Sequence, residues 1–278
     1  MLKKILVALE GSTGTARATD LAIGLAKEDA AALVGLAIID APAITAGSAM
    51  GIGGSTYKHE RDEALLLEAK QMARDAERRF LENTRAAGVE ARVVEVMGKA
   101  ADTLLAELEN HDLGLLGRYA NFRFETDATD LRTWDTVVHG ATKPLVIVPE
   151  GPLAKGRNAV LAYDGSMAAK RAIRLFVESG LHRGREVHVV TVNDSGAVAW
   201  ELATKASEEL GSLGVGAEIH NVVSVLPVAE ALLEVAGQVD AGLIAMGAFA
   251  HSRLRNLFRG SVTQQLVEKT TMPLFLTH

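Results

Sequence analysis

The sequence predicts an α/β fold built from two tandem domains, each with a doubly wound, five-stranded parallel sheet. Apolar runs at residues 5–9, 33–39 and 187–192 lack in–out alternation, which is typical of strands covered on both faces. Apolar residues at helical spacing follow the first strand of each half, at Ala18, Leu21, Ala22 and Leu25 and again at Ala168, Ala172, Leu175 and Phe176. We therefore expect about five strands and four helices per domain, in strict β-α alternation with right-handed crossovers.

The composition agrees with this fold and excludes several classes of function. At roughly 150 residues per domain, 278 residues correspond to two domains. The chain is 48% hydrophobic but only 4% aromatic, so its core consists of Ala, Val, Leu and Ile, which let helices pack closely on a sheet. The absence of cysteine excludes disulfides, thiolate metal sites and thiol catalysis. With a net charge of −6, the chain gives no reason to expect a nucleic acid or an anionic membrane as partner.

Targeting signals are not evident in the sequence. No apolar stretch reaches the roughly 18 residues that a membrane-spanning helix needs. The apolar run behind the basic start covers only residues 5–9, which is too short for a signal peptide. These observations predict a soluble, cytoplasmic protein.

An internal repeat organises the chain. Residues 5–12 (ILVALEGS) recur as residues 159–166 (AVLAYDGS), and two further motifs recur in the same order, 112–117 as 241–247 and 143–148 as 272–277. Three matches in one order indicate a duplicated domain. The Pro/Gly-containing segment 149–156 separates the copies, so we predict domains at residues 1–149 and 157–278.

The first copy is the longer of the two. From the acid of the first strand to the glycine of the fourth, Glu10 to Gly117 spans 107 residues and Asp164 to Gly247 spans 83, a difference of 24. The extra residues are expected in the Ala/Gly-rich segment 41–57 and in a long charged helix behind it. Three roles are open for that segment: a lid, an interaction surface or a disordered loop.

Two motifs of the second copy carry a family resemblance. Asp164-Gly165-Ser166 follows the first predicted strand, and Met246-Gly247 ends the fourth. Ala250 and His251 come next, and after nine residues counted from His251 the segment Gly260-Ser261-Val262-Thr263 begins the last helix. The pattern is similar to the G-x2-G-x9-G-[ST] phosphate loop of the universal stress protein family. The whole chain resembles the tandem form of that family, with Ala250 in place of the second glycine.

The resemblance implies a nucleotide site in the second copy. The family's strand order, 3-2-1-4-5, places strands one and four side by side, so that Asp164 faces Gly247 at their carboxyl ends. Asp164 would then accept hydrogen bonds from ribose hydroxyls, while Gly247 would allow close approach of a phosphate. The helix that begins at Gly260-Ser261 offers N–H groups and a positive dipole end to phosphate. The resemblance adds Val192 and Met246 as contacts to adenine, and ATP, with or without Mg²⁺, as the ligand.

The first copy departs from this pattern. Gly117 is retained, but Glu125, Asp127 and Asp130 occupy the region of the phosphate loop, where their charges would repel phosphate. Glu10 replaces the aspartate of the first strand. We therefore expect a structural role for this copy, as half of an internal pseudo-dimer. The resemblance implies pairing between the fifth strands, at 144–148 and 273–277, and a homodimeric protein.

Enzyme signatures are not found in the sequence. It contains no H-E-x-x-H, no G-x-S-x-G and no P-loop lysine motif. His188 and His220 lie within predicted strands, so we expect them to be structural, and we assign no catalytic and no metal-binding residue. The leading hypothesis is a stress-response regulator that binds ATP in its C-terminal domain. The alternatives are a nucleotide-free interaction or scaffold protein of the same fold, and a slow ATP-hydrolysing or nucleotidyl-transferring enzyme.

Overall fold

The computed structural model describes most of the chain, in two compact units. The described residues are 1–46, 55–120, 122, 132–151, 154–224, 226–248 and 262–278. One unit comprises Lys3–Val137, and the other comprises Val138–His278 together with Met1–Leu2. Within the described ranges, none of the helices is both long and apolar enough to cross a membrane.

The unit Lys3–Val137 contains a parallel sheet. Its strands are β1 (Lys4–Leu9), β2 (Ala32–Ile39), β3 (Ala91–Met97) and β4 (Leu113–Gly117), in the order β3-β2-β1-β4. The helices of this part of the chain are α1 (Thr13–Asp29), α2 (Ala41–Thr45), α3 (Ser55–Ala87), α4 (Ala100–Leu108) and α5 (Arg132–Gly140). Strands and helices therefore alternate as predicted, except that α2 is an additional short helix.

The second unit contains the strands of the second copy and one strand of the first. The strands are β5 (Leu145–Val148), β6 (Asn158–Ala162), β7 (Val187–Asn193), β8 (Glu218–Val223), β9 (Ala241–Gly247) and β10 (Leu274–Thr277). The helices are α6 (Met167–Glu178), α7 (Gly196–Ser212), α8 (Val228–Gln238) and α9 (Val262–Lys269). The parallel strands run β8-β7-β6-β9-β10, which is the order 3-2-1-4-5 counted within the copy. β5 pairs antiparallel with β10, so the two fifth strands are neighbours.

The core depends on small side chains between helix and sheet. Ala199, Ala203 and Ala206 give α7 a fully buried face, and alanines also line the buried face of α1. At Gly35 a Cβ atom would lie 2.9 Å from the Phe80 ring, so glycine lets α3 pack directly on β2. The alanine-rich, aromatic-poor composition is therefore what this close helix–sheet packing requires.

The segment expected to be a loop at residues 41–57 is partly helical. Residues 41–45 form α2, and residues 55–57 already belong to α3. Asp40 begins α2 because its Oδ1 accepts the Ala43 N–H at 3.0 Å, and Pro42 lies in the first turn, where proline is tolerated. The prediction of a loop was wrong at both ends of this segment. At residues 41–45 the reason is the cap formed by Asp40, which outweighed the Ala/Gly-rich composition. Residues 47–54 lie outside the described part of the chain.

A half-buried carboxyl on α3, that of Glu77, gives a test of how this helix packs. Burial, followed by repulsion from Glu95, raises the pKa of Glu77. A raised folded-state pKa means that the charged form destabilises the fold, increasingly as pH rises through the raised value. We expect Glu77→Gln to increase the free energy of unfolding at pH 7 by up to about 1 kcal/mol, and by less as pH falls into the ordinary carboxyl range. Denaturant unfolding at both pH values measures this difference.

The matched control is Glu82→Gln, because Glu82 lies on the same helix and is exposed. It removes an exposed carboxylate in place of a half-buried one, so its effect should be near zero at both pH values. An equal gain in the two variants, or a gain for Glu77→Gln that is independent of pH, would contradict the assignment.

Candidate functional site

The carboxyl ends of the second copy's parallel strands lie along one edge of the sheet. Ala162, the last residue of β6, is in register with Met246 near the end of β9, and Leu276 of β10 is in register with the same Met246. Asp164 follows β6 by two residues. The structure therefore brings Asp164 and Gly247 to the same edge, where strand order reverses and α/β proteins bind ligands.

The Asp164-Gly165-Ser166 segment is a tight turn that begins α6. Oδ1 of Asp164 accepts the Ser166 N–H at 2.9 Å, and the Asp164 side chain remains exposed. Gly165 has φ = 80°, a left-handed conformation that favours glycine. The Ser166 hydroxyl accepts the Ala169 N–H at 3.1 Å and so caps α6. The turn thus presents a carboxylate to solvent beside a helix N-terminus.

Gly247 has a packing role that the sequence did not predict. A Cβ atom at this position would lie 2.6 Å from the backbone nitrogen of Ala169 and 2.8 Å from the Cβ atom of Ala168. The start of α6 therefore occupies the space that a side chain would need. Close approach of this helix is therefore one reason for glycine at this position. The close approach of a phosphate to Gly247 stays a prediction.

The remaining predicted residues divide into described and undescribed ones. Met246 is buried, and Val192 is half-buried near the end of β7. Val262 is the first residue of α9, and Thr263 is buried in its first turn. Ala250, His251, Gly260 and Ser261 lie outside the described residues.

Thr277 contributes to the candidate site, although the two motifs of the family resemblance did not indicate it. The Ala248 N–H donates to the Thr277 carbonyl oxygen at 2.7 Å, and the Thr277 hydroxyl donates to the Ala168 carbonyl at 3.5 Å. Thr277 therefore connects β10 to the start of α6 and to the residue that follows β9. Its only sequence signal is its place at the end of a buried strand.

The same edge of the first copy is built differently. Glu10 is only 6% exposed, and its Oε1 accepts hydrogen bonds from the Ser12 hydroxyl at 2.5 Å and the Thr15 hydroxyl at 2.9 Å. A Cβ atom at Gly117 would lie 2.7 Å from that same oxygen. The acid of the first copy thus lies over Gly117 and is engaged by its own helix, whereas Asp164 is exposed. Glu125, Asp127 and Asp130 fall outside the described residues.

Comparison with known proteins decides the family. The model of the Universal stress protein family matches residues 1–149 and 156–278. The chain belongs to the universal stress protein family. Universal stress protein Slr1230 of Synechocystis sp. (strain ATCC 27184 / PCC 6803 / Kazusa) is 26% identical over 191 residues, which is 68% of this chain and 66%, just under two thirds, of that protein. The resemblance inferred from the motifs is confirmed.

Solved structures confirm the α/β fold class. A universal stress protein from Archaeoglobus fulgidus DSM 4304 is 20% identical with a TM-score of 0.66, over 99% of this chain and 95% of that one. Shorter family members, each matching 44% of this chain and 97% of their own, have been solved with nucleotides. One is a universal stress protein in complex with cAMP (21% identity, TM-score 0.37). The other is a shorter universal stress protein from Archaeoglobus fulgidus in complex with dAMP (25% identity, TM-score 0.36).

The contact between Gly247 and α6 predicts the effect of one added methyl group. Gly247→Ala should lower the free energy of unfolding by about 1–3 kcal/mol, because the new Cβ atom meets backbone atoms that cannot rotate away. Gly237→Ala is the matched control, since Gly237 lies in α8 with no atom within 4 Å of an added Cβ. The control should be neutral or stabilising by up to about 1 kcal/mol. Denaturant unfolding of both variants tests this, and equal effects would exclude the proposed contact.

Proposed function

We propose that this universal stress protein binds ATP at the carboxyl-end edge of its second copy and acts as a stress-response regulator. The observation that carries the proposal is the exposed Asp164 carboxylate, which lies at the same edge of the sheet as Gly247, where the strand order reverses. A carboxylate in this position can accept hydrogen bonds from both ribose hydroxyls. Family members have been solved with cAMP and dAMP, which is consistent with an adenine nucleotide as ligand.

The segment between β9 and α9 would supply the phosphate site. It leaves the sheet at Ala248, whose N–H is held by the Thr277 carbonyl, and it returns at Val262, where α9 begins. Gly260 and Ser261 directly precede that helix in the sequence, so we propose that N–H groups at its start and the Ser261 hydroxyl bind phosphate oxygens. Ala250 replaces a family glycine; if that position needs a positive φ, alanine costs on the order of 1 kcal/mol.

The first copy would not bind nucleotide. Its acid, Glu10, accepts hydrogen bonds from Ser12 and Thr15 and is buried, so ribose hydroxyls would have to displace those contacts. Its role is structural, since it supplies β5 to cover the edge of β10. We accordingly propose one nucleotide per chain, an internal pseudo-dimer through the fifth strands, and a cytoplasmic homodimer.

The test is nucleotide binding by the purified chain. Protein denatured after purification should release adenine nucleotide, or the nucleotide-free chain should bind ATP at one site per chain by calorimetry. Asp164→Ala and Gly260→Asp should each weaken ATP binding at least tenfold, the first by removing the ribose acceptor and the second by adding a negative charge near phosphate. Asp75→Ala is the control, because Asp75 pairs with Arg78 on α3, far along the chain.

The possible outcomes separate the proposed function from its alternatives. Absence of bound nucleotide together with no measurable ATP affinity in the wild type would contradict the proposal and favour a nucleotide-free interaction protein. Multiple turnover at an enzyme-like rate would favour an ATP-hydrolysing enzyme. An equal loss of affinity in Asp75→Ala would show that the variants act through the fold rather than through the site.

A further inference from the structure

Three side chains that can ligate a metal ion meet on β7 and β8. His188 is the second residue of β7, and in the parallel register it lies opposite Glu218, the first residue of β8. His220 follows Glu218 by two residues, so all three side chains project from the same face of the sheet. This triad is formed by strand register, since the two histidines are separated by 32 residues in the chain.

The distances within the triad suit a tetrahedral ion. Nδ1 of His188 lies 3.0 Å from Nε2 of His220 and 3.4 Å from Oε2 of Glu218. One ligand atom from each residue lies within 4.8 Å of the other two. Two ligands bound at about 2.0–2.1 Å to a tetrahedral ion are about 3.3 Å apart. An ion could therefore be held with only small side-chain adjustments.

The surroundings of the triad can accommodate a divalent cation. His188 is only 4% exposed, His220 is half-buried and Glu218 is exposed, so solvent reaches the triad on the side of Glu218. Glu218 and Glu186 both act on His188 with negative charge, which would offset the charge of a cation.

We infer that His188, Glu218 and His220 form a binding site for a divalent transition-metal ion of the Zn²⁺ class. Two imidazoles and one carboxylate are ligands that Zn²⁺ accepts in a tetrahedral site, and water would complete the coordination from the exposed side. Mg²⁺ and Ca²⁺ prefer sets of oxygen ligands and would bind poorly. The ion would connect β8, the outer strand of this unit's sheet, to its neighbour β7.

This site is separate from the proposed nucleotide site. His188 lies near the beginning of β7, whereas Val192 lies near the end of the same strand, where the nucleotide edge begins. Four residues of an extended strand span about 13 Å. Failure of ATP binding would therefore leave the metal inference intact, and failure of metal binding would leave the nucleotide proposal intact.

The experiment titrates chelator-treated protein with ZnCl₂. We expect one saturable site per chain by calorimetry, a higher Tm on Zn²⁺ addition because the ion binds the folded chain, and no comparable effect of MgCl₂. CoCl₂ should produce the visible absorption bands of a tetrahedral site. Glu218→Gln and His220→Gln should each weaken Zn²⁺ binding at least tenfold. His188 is left unchanged because its burial makes a folding defect the expected result of replacing it.

Two controls remove the same chemical groups elsewhere. Glu208→Gln removes a carboxylate from the exposed face of α7. His59→Gln removes an exposed histidine that has one carboxylate beside it, with Nε2 of His59 3.2 Å from Oε1 of Glu63. Both should bind Zn²⁺ as the wild type does, and circular dichroism should show that all four variants are folded. No saturable Zn²⁺ binding by the wild type, or undiminished binding in both triad variants, would overturn the inference.

Discussion

The close contact between the start of α6 and Gly247 determines the geometry of the candidate nucleotide edge. Because a side chain at Gly247 would overlap the backbone of Ala169, the helix can lie against the end of β9 only if that residue is glycine. The contact fixes the first turn of α6, and with it the turn that presents Asp164. Thr277 holds the same helix start from β10. Three strand ends therefore converge on one helix N-terminus.

The acid-Gly-Ser motif places its carboxylate differently in the two copies because of two residue differences. Glu10 is one methylene longer than Asp164, which lets its carboxylate reach back over Gly117. It finds the Thr15 hydroxyl there, whereas the matching position of the second copy is Ala169, which has no hydroxyl. The longer acid is thus satisfied inside the fold, while the shorter one accepts a backbone N–H and remains at the surface.

The sequence predicted those features that depend on local pattern. Strands such as β1 and β2 are buried on both faces, so their uninterrupted apolar runs identified them. The orientation of Glu10 was not predictable, because it depends on hydroxyls whose position requires the folded helix. The packing role of Gly247 and the meeting of His188 with Glu218 depend on contacts between distant segments, which spacing along the chain does not reveal.

The position of both proposed sites along β7 has a thermodynamic consequence. Coupling between two ligands requires an element with two arrangements that the ligands bind unequally. β7 is paired on both sides, with β6 and β8, and its first five residues are buried, so a second arrangement of this strand would require breaking both pairings. An ion at His188 would stabilise β8 against local unfolding and leave the affinity at Asp164 unchanged. The two sites would therefore act on different properties of the protein, one on the stability of an edge strand and one on nucleotide occupancy.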